Sequence, residues 1–201
     1  ERLDSTAEVV TDAFDIDFQH RRALGLRHEL AWGAGYRLDR DELISSLKLG
    51  FVPEERTTHL FSAFVHDELA LIRDHLRWSL GAKVEHNGYT GFEYQPSTRL
   101  LWIPAPRHAL WIAATRAVRT PSRTDSDVRL AFRVFPSQPL SPDVGPPMSV
   151  FFYGYGGIAS EKMRAYELGY RVHLMDELLL DAASYYNDYD DLRSVDLGSF
   201  E

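Results

Sequence analysis

The residues most typical of a binding site lie between a predicted strand, Met148–Tyr153, and Asp176. Small residues follow the strand, and a helix-compatible stretch then continues to Leu168; the small residues are Gly154, Gly156, Gly157 and Ala159. In dinucleotide-binding βαβ units, glycines at this spacing bring backbone amides close to a pyrophosphate, and an acid about 20 residues further on binds the ribose. The pattern suggests a nucleotide-binding enzyme domain. The competing interpretation is that the glycines only end a strand.

Side chains that bind metals or act as nucleophiles are present, but their spacing fits neither chemistry. The chain has no cysteine, which excludes disulfides, thiolate zinc sites and cysteine nucleophiles within it. His59, His66 and His75 are seven and nine residues apart, whereas two ligands on one helical face are four apart. Ser160 does not belong to a Gly-x-Ser-x-Gly elbow. The sequence therefore predicts no catalytic residue, no metal site and no cofactor.

Acidic charge is concentrated at the end of the chain. The formal net charge is −8, and residues 176–201 contain eight acidic side chains against Arg193 alone. The rest of the chain is nearly neutral and has no basic stripe, so no strong nucleic-acid-binding face is predicted. Tyrosine, which is enriched at protein interfaces, is frequent in the same stretch. We predict an acidic, aromatic tail whose candidate interface residues are Tyr185, Tyr186 and Tyr189.

The clearest structural pattern is an alternation of apolar and polar residues from Leu76 to Val84. A period of two is typical of a strand with one buried face. Asn87-Gly88 follows it and favours a type I′ turn, so the chain is predicted to return as a second strand. Other short apolar runs are separated by turn-forming residues, and they predict strands at Leu100–Ile103, Ala109–Val118, Val128–Phe135 and Met148–Tyr153.

Two helices are predicted before these strands. Asp39 and Glu42 fit a capping box at the start of a short helix over residues 39–49. A second helix is predicted over residues 54–73, because four apolar residues recur at the spacing of one helical face. These four residues are Phe61, Val65, Leu69 and Ile72.

The length of the chain suits one well-packed core. We predict an extended N-terminal arm over residues 1–20, a single β-rich domain over residues 21–175 and a tail over residues 176–201. The predicted fold is mainly β with helical insertions, an antiparallel β-sandwich of the jelly-roll type. No stretch approaches the ~18 apolar residues that a membrane-spanning helix needs, so no membrane span is expected.

The order of these elements resembles the capsid jelly roll of picorna-like RNA viruses. The resemblance lies in the strand and turn at His75–Gly88, in the proline-ended strand Leu100–Pro106, and in the strand pair around the proline-rich residues 136–147. It implies a structural subunit of a virion, with no catalytic residues and no cofactor. Its partners would be copies of itself, other structural subunits and encapsidated RNA. The sequence is thus interpreted as an assembly subunit, with a nucleotide-binding enzyme domain as the alternative.

Overall fold

The computed structural model describes residues 8–46, 49–135 and 148–194. Most of these residues lie in β-strands. In chain order the elements are β1 Glu8–Leu24, β2 His28–Ile44, β3 Leu49–Phe51, β4 Glu55–Ile72, β5 Leu76–Asn87, β6 Gly91–Ala105, β7 His108–Arg119, α1 Arg123–Asp127, β8 Val128–Phe135, β9 Met148–Tyr153, β10 Glu161–Met175 and β11 Leu178–Asp190.

Eight strands form one sheet, the large sheet, in the order β1-β2-β4-β5-β6-β7-β10-β11, while β3, β8 and β9 form a separate small sheet. The prediction of a mainly β, antiparallel fold is confirmed. The prediction of a jelly-roll sandwich is wrong, because the strands of the large sheet lie side by side in the order in which the chain makes them. Successive hairpins produce this order, whereas a jelly roll needs Greek-key connections between two packed sheets.

The register of the large sheet shifts steadily from one hairpin to the next. One row of opposed residues crosses five strands and consists of Trp78, Leu100, Ile112, Leu168 and Ser184. Short turns follow at one end of these strands, at residues 73–75, 106–107 and 176–177. The number of residues between this row and the nearby turn increases from one hairpin to the next. The strands are therefore tilted relative to the line that joins the turns. Sheets with tilted strands and this kind of stagger are able to curve into barrels.

Both predicted helices are wrong, because residues 39–49 include the end of β2 and the start of β3, and residues 54–73 include β4. Phe61, Val65 and Leu69 are separated by four residues, an even number, so they also share one face of a strand. The spacing therefore fits both periods, and pairing with β5 decides for the strand. None of the described residues forms a helix long and apolar enough to cross a membrane.

The segments predicted as an arm and a tail contribute strands to the large sheet. Residues 8–20 belong to β1 and residues 178–190 form β11. The acids of β11 made this segment look like a solvated tail, but they face cations on β10. Arg164 Nη1 lies 3.2 Å from Asp188 Oδ2, and Arg171 pairs with Asp181. The sequence does not reveal these pairs because their members are ten or more residues apart.

The contacts divide the chain into two compact units: unit 1 comprises residues 1–15, 37–59 and 121–159, and unit 2 comprises residues 16–36, 60–120 and 160–201. Unit 1 contains a small apolar core in which Leu43, Phe51 and Val128 are buried. In unit 2 the apolar side chains of β5, predicted to face a core, are largely uncovered: Trp78 is 38% exposed, Leu80 42% and Val84 44%. The alternation along β5 is as predicted, but no protein layer covers its apolar face among the described residues.

Candidate functional site

The register gives the large sheet two chemically different faces. Residues directly opposite each other in antiparallel strands point to the same side of the sheet. The side that carries Trp78, Leu80 and Val84 of β5 is called the apolar face, and the side that carries Ser79 and Lys83 is called the polar face. Both faces are traced below across β4 to β11 by this pairing.

The apolar face continues across neighbouring strands as a broad band. Opposite the apolar residues of β5 and beyond them lie, among others, Val65, Leu69, Leu100, Trp102, Leu110, Ile112, Leu168, Tyr170, Val172 and Leu180. Half of these side chains are exposed, for example Ile112 at 53% and Leu168 at 57%, whereas Val172 is buried at 5%. Within the described part of the chain, no helix or second sheet covers the exposed members of this band, as it would in a two-layer fold.

Aromatic pairs and then ion pairs occur towards the end of the band that is remote from the short turns. Tyr166 and Tyr186 are opposed, with ring centroids 6.4 Å apart. The next opposed positions hold the ion pair of Arg164 and Asp188, and Arg164 Nη2 also lies 3.1 Å from Asp190 Oδ2. The band therefore passes from aliphatic side chains through tyrosines to charges within a few residues.

The polar face carries charged side chains that are paired across and along the strands. Arg77 Nη1 of β5 lies 3.3 Å from Glu68 Oε1 of β4, and Lys83 Nζ lies 2.7 Å from Glu85 Oε1 on the same strand, β5. Gln95 Nε2 donates a hydrogen bond to Glu85 Oε2 at 2.9 Å. Such pairs in a solvated setting add little stability, but they keep this face hydrophilic along its length.

Trp111 is the best buried aromatic residue of the polar face, with 8% exposure. It lies opposite Gly169, and a Cβ atom at Gly169 would overlap the indole ring. The indole N–H donates to the carboxylate of Glu167. The guanidinium groups of Arg99 and Arg171 lie 5.5 and 6.0 Å from the ring centroid. Glycine thus lets the ring lie flat on the sheet, where cations on both sides hold it.

Phe64 and His66 of β4 lie close to glycines of neighbouring strands. A Cβ atom at Gly33 would come within 2.6 Å of the Phe64 ring. At Gly81 it would come within 3.1 Å of His66 Nδ1. The rings lie over residues without side chains, as Trp111 does, so they do not project far from the polar face. Glycine destabilises a strand, and a glycine within a strand often marks a place where another group approaches the backbone closely.

Glu161 joins three chain segments at the end of the strands opposite the short turns. Its carboxylate accepts a hydrogen bond from Arg119 Nη1 at 2.8 Å and another from the backbone N–H of Arg193 at 3.1 Å. These hydrogen bonds lower the pKa of Glu161 below its ordinary value. The bond from Arg119 has the larger effect, and the bond from the Arg193 backbone comes second. The first residue of β10 is thereby attached to the end of β7 and to the chain after β11. Next to it, the buried Ser160 hydroxyl donates to Thr90 Oγ1 at 3.0 Å.

The structure does not bring the nucleotide-site candidates together as a βαβ unit. Gly154, Gly156 and Gly157 follow β9 of the small sheet, whereas Asp176 lies in the turn between β10 and β11 of the large sheet. The stretch predicted to be helical is the strand β10, and Asp176 pairs with Arg107 at 2.8 Å. The nucleotide-binding alternative is wrong, because its helix N-terminus for phosphate does not exist.

The candidate interface tyrosines lie on β11, on both sides of the sheet. Tyr186 shares the apolar face with Tyr166, while Tyr185 and Tyr189 are opposite Glu167 and Met163 on the polar face. The two-faced character of β10 has a signal in the sequence, since Tyr166, Leu168, Tyr170 and Val172 alternate with polar or small residues. The glycine pattern before this stretch favours a helix instead, so the strand is not predicted from it.

Comparison with known proteins gives a consistent family. The model of the family described as "TonB dependent receptor-like, beta-barrel" matches residues 2–199. No curated protein sequence matches the chain.

Solved structures have a similar fold. The siderophore receptor PirA from Acinetobacter baumannii has a TM-score of 0.69 at 16% identity, over 92% of this chain and 28% of that chain. A variant of the ferric enterobactin receptor PfeA from Pseudomonas aeruginosa has a TM-score of 0.71 at 20% identity, over 90% of this chain and 27% of that chain. PirA from Pseudomonas aeruginosa has a TM-score of 0.69 at 16% identity, over 90% of this chain and 32% of that chain. The chain therefore spans about a third or less of the length of these receptors.

These findings overturn the capsid interpretation. The resemblance to picorna-like capsid proteins rested on the order of short elements, and strand–turn–strand patterns of that kind also occur in a meander sheet. The expected virion location and the expected partners, which were copies of the chain, other capsid subunits and RNA, are wrong with it.

Proposed function

Because the chain belongs to the TonB-dependent receptor-like β-barrel family, we propose that the large sheet is part of the barrel wall of a bacterial outer-membrane receptor. The receptor would take up a ferric siderophore, as the names of the structurally similar receptors suggest. The chain would act in transport and would catalyse no reaction.

The observation that carries this proposal is the bare apolar face beside a charged polar face. A transmembrane β-barrel has an outward apolar band about 25 Å tall, aromatic residues at its edges and a polar interior. Leu80 and Ser79, adjacent on β5, would then face lipid and lumen respectively. The stagger of the hairpins supports the same arrangement, since closed barrels need tilted strands.

The lengths of the connections suggest an orientation. At one end of the large sheet, short turns join the strands at residues 25–27, 73–75, 106–107 and 176–177. At the other end, a short turn at residues 88–90 joins β5 to β6, while a long connection that includes β8 and β9 joins β7 to β10. Outer-membrane barrels have short periplasmic turns and longer extracellular loops. Because the long connection lies at this second end, we propose that its described residues 120–135 and 148–160 are extracellular and that the candidate tyrosine Tyr186 lies with Tyr166 at the outer lipid boundary.

Single-cysteine labelling tests the proposed faces. The chain has no cysteine, so Leu80→Cys and Ser79→Cys are compared in the product of the complete gene, folded in liposomes, after removal of any cysteine elsewhere. A fluorophore at position 80 is expected to be quenched by bromolipids, and a membrane-impermeant maleimide is expected to label position 79. Equal aqueous labelling at both positions would contradict a lipid-facing apolar face.

Uptake of radioactive iron tests the substrate class. The complete gene is expressed in an iron-starved Gram-negative host that lacks its own siderophore receptors. Uptake of at least one ferric siderophore is expected, and it should stop when the host's TonB is deleted. Absence of uptake for catecholate, hydroxamate and carboxylate chelates, with the protein folded in the outer membrane, would reject the proposed substrate class.

A further inference from the structure

The small sheet of unit 1 has one face in the core and one face turned towards a cavity. Its core side carries the opposed pair Phe51 and Val128. On its other side Gly50 is opposite Arg129, and Arg129 is opposite Tyr153. Above Gly50, the space that a side chain would take is filled by Ser45, since a Cβ atom at Gly50 would come within 3.0 Å of Ser45 Oγ.

A cavity of about 500 Å³ lies above this row. Its lining includes Gly50, Ala131, Phe151 and the hydroxyl-bearing Ser45, together with Arg129. The volume is within the range of sites for small organic ligands, and such sites are typically apolar with a few polar groups that set the orientation of the ligand. The cavity therefore has the size of a ligand site, and it opens to solvent at Val52, which is 69% exposed, and at Arg129, which is also exposed.

Arg129 is the polar group of this site. Its guanidinium carbon lies 5.1 Å from the centroid of Phe151 and 5.7 Å from that of Tyr153. Among the residues that the structure describes, no carboxylate lies within ion-pair distance of Arg129. Aromatic rings hold a guanidinium through its faces and leave the in-plane N–H groups available, which is the geometry that binds carboxylates through two hydrogen bonds.

The wall of the cavity formed by residues 52–54 is held by a buried ion network. Arg123 is 9% exposed and donates to the backbone oxygens of Pro53 and Glu54, the latter at 2.7 Å. Its Nε atom lies 3.5 Å from Asp127, which also accepts two hydrogen bonds at 2.7 Å from Arg56. Because each of these groups depends on the others, the wall is formed before a ligand binds.

We propose that this cavity binds a small molecule with a planar apolar body and one carboxylate or aryl oxyanion, which accepts hydrogen bonds from Arg129. Glu54 also lines the cavity, so a second negative charge on the ligand would be repelled. The ligand is therefore a mono-anion. The inference goes beyond the proposed transport function and does not depend on it, because every contact it uses lies within unit 1.

Calorimetric titration with salicylate tests the site in the detergent-solubilised product of the complete gene, with uncharged salicylamide as the matched ligand. Salicylate is expected to bind at least tenfold more tightly than salicylamide. Arg129→Gln should weaken salicylate roughly tenfold or more, because a hydrogen bond to a charged group contributes about 1.5–3 kcal/mol. Arg129→Lys should bind with intermediate affinity, since it keeps the charge and loses the planar pair of donors.

Two further variants separate loss of the site from loss of the fold. Arg40→Gln removes an exposed arginine of unit 1, which lies 3.8 Å from Glu55, and should leave salicylate affinity unchanged. Ala131→Trp should abolish binding by filling the cavity while Arg129 remains. Equal salicylate affinity for the unaltered protein and Arg129→Gln, or no binding to the folded protein at about 10 mM, would overturn the proposal. Iron uptake is measured separately, so failure of transport and failure of this site give different results.

Discussion

At the scale of single residues, function depends on which side of a strand a side chain occupies. Ser79 and Leu80 are neighbours in sequence, yet one shares a face with Lys83 and the other with Val84. Glycines on the polar face matter because they allow rings to lie flat, as at Trp111 and Gly169. If the polar face lines a barrel, flat rings leave room for a solute.

The substitution Gly169→Ala tests this role. The new methyl group would overlap the Trp111 ring, so we expect a loss of about 1–3 kcal/mol in the free energy of unfolding from overpacking. In the double variant with Trp111→Leu, most of the destabilisation caused by Gly169→Ala should disappear. Urea titration in lipid vesicles measures the free energy of unfolding of the single and double variants. Gly88→Ala, where no atom lies within 4 Å of the new Cβ, is the control. Additive effects of the Gly169 and Trp111 changes would show that the ring does not rest on the glycine.

At the scale of elements, the turns, loops and short strands are held by specific polar contacts. Asn87 stabilises the β5–β6 turn by accepting hydrogen bonds from the backbone N–H groups of Tyr89 and Thr90 at 2.8 and 2.9 Å. The hairpin predicted after β5 is confirmed, but its type I′ turn at Asn87-Gly88 is wrong, because neither residue has a positive φ. The turn comprises residues 88–90, and the positive φ, +76°, is at Gly91. The buried network around Asp127 and the contacts of Glu161 join segments distant in sequence, and the sequence contained no signal for either.

Asp127→Asn tests the buried network. Asp127 is 9% exposed and faces Arg56 and Arg123, so removing its charge weakens its ion pairs with both cations; Arg123 keeps a more distant carboxylate, Asp41, at 3.9 Å. Loss of one partner of a buried ion pair typically costs about 3–5 kcal/mol. We expect residues 49–56 to be cleaved faster by protease in intact cells. The exposed Asp74, placed similarly at a loop but 80% exposed in its side chain, serves as the control in Asp74→Asn. Unchanged cleavage would mean that other contacts fix this loop.

The contacts of Glu161 predict a pH dependence. This residue is the first of β10 and lies beyond the ion pairs of Arg164, outside the segment proposed to span the membrane. The folded state lowers its pKa, chiefly through Arg119, so its contribution is present above the ordinary carboxyl pKa and is lost as pH falls through the lowered value. Hydrogen exchange, corrected for intrinsic rates, should show the Arg193 amide losing protection only as the pH falls below the ordinary carboxyl pKa.

Glu161→Gln should reduce that protection at neutral pH and make it nearly independent of pH. Glu177→Gln, in the turn between β10 and β11, is the matched control and should behave like the unaltered protein. If the Arg193 amide were equally protected at pH 7 in Glu161→Gln and in the unaltered protein, the carboxylate would not hold this segment.

At the scale of the whole molecule, each of the two outermost strands of the large sheet has one unpaired edge, and much of the apolar face is exposed among the described residues. The strands β1 and β11 each have a single neighbour in the sheet. Exposed strand edges and large apolar surfaces promote association between chains. Within the proposed receptor, other strands would pair with these edges and lipid would cover the apolar face.

A polypeptide of residues 1–201 alone tests this. In aqueous buffer we expect it to sediment as aggregates, and in detergent to remain dispersed, because detergent covers the apolar face that includes Leu80 and Ile112. Light scattering and sedimentation measure the outcome. Replacing both residues by serine should increase the fraction that stays in solution. A monodisperse monomer in buffer would contradict the existence of an uncovered apolar face.

The sequence by itself determined the strands and the turn that depend on local pattern. The strand at Leu76–Val84, the Asn87 hairpin, and the strands near residues 100–103, 109–118, 128–135 and 148–153 all occur, because alternation and turn chemistry act within a few residues. Tertiary structure decided what the alternation means. An apolar–polar period of two is the same in a half-buried soluble strand and in a barrel strand. Only the register of β4 to β7, β10 and β11 shows that Leu80 and its neighbours form one apolar face, much of which is exposed among the described residues.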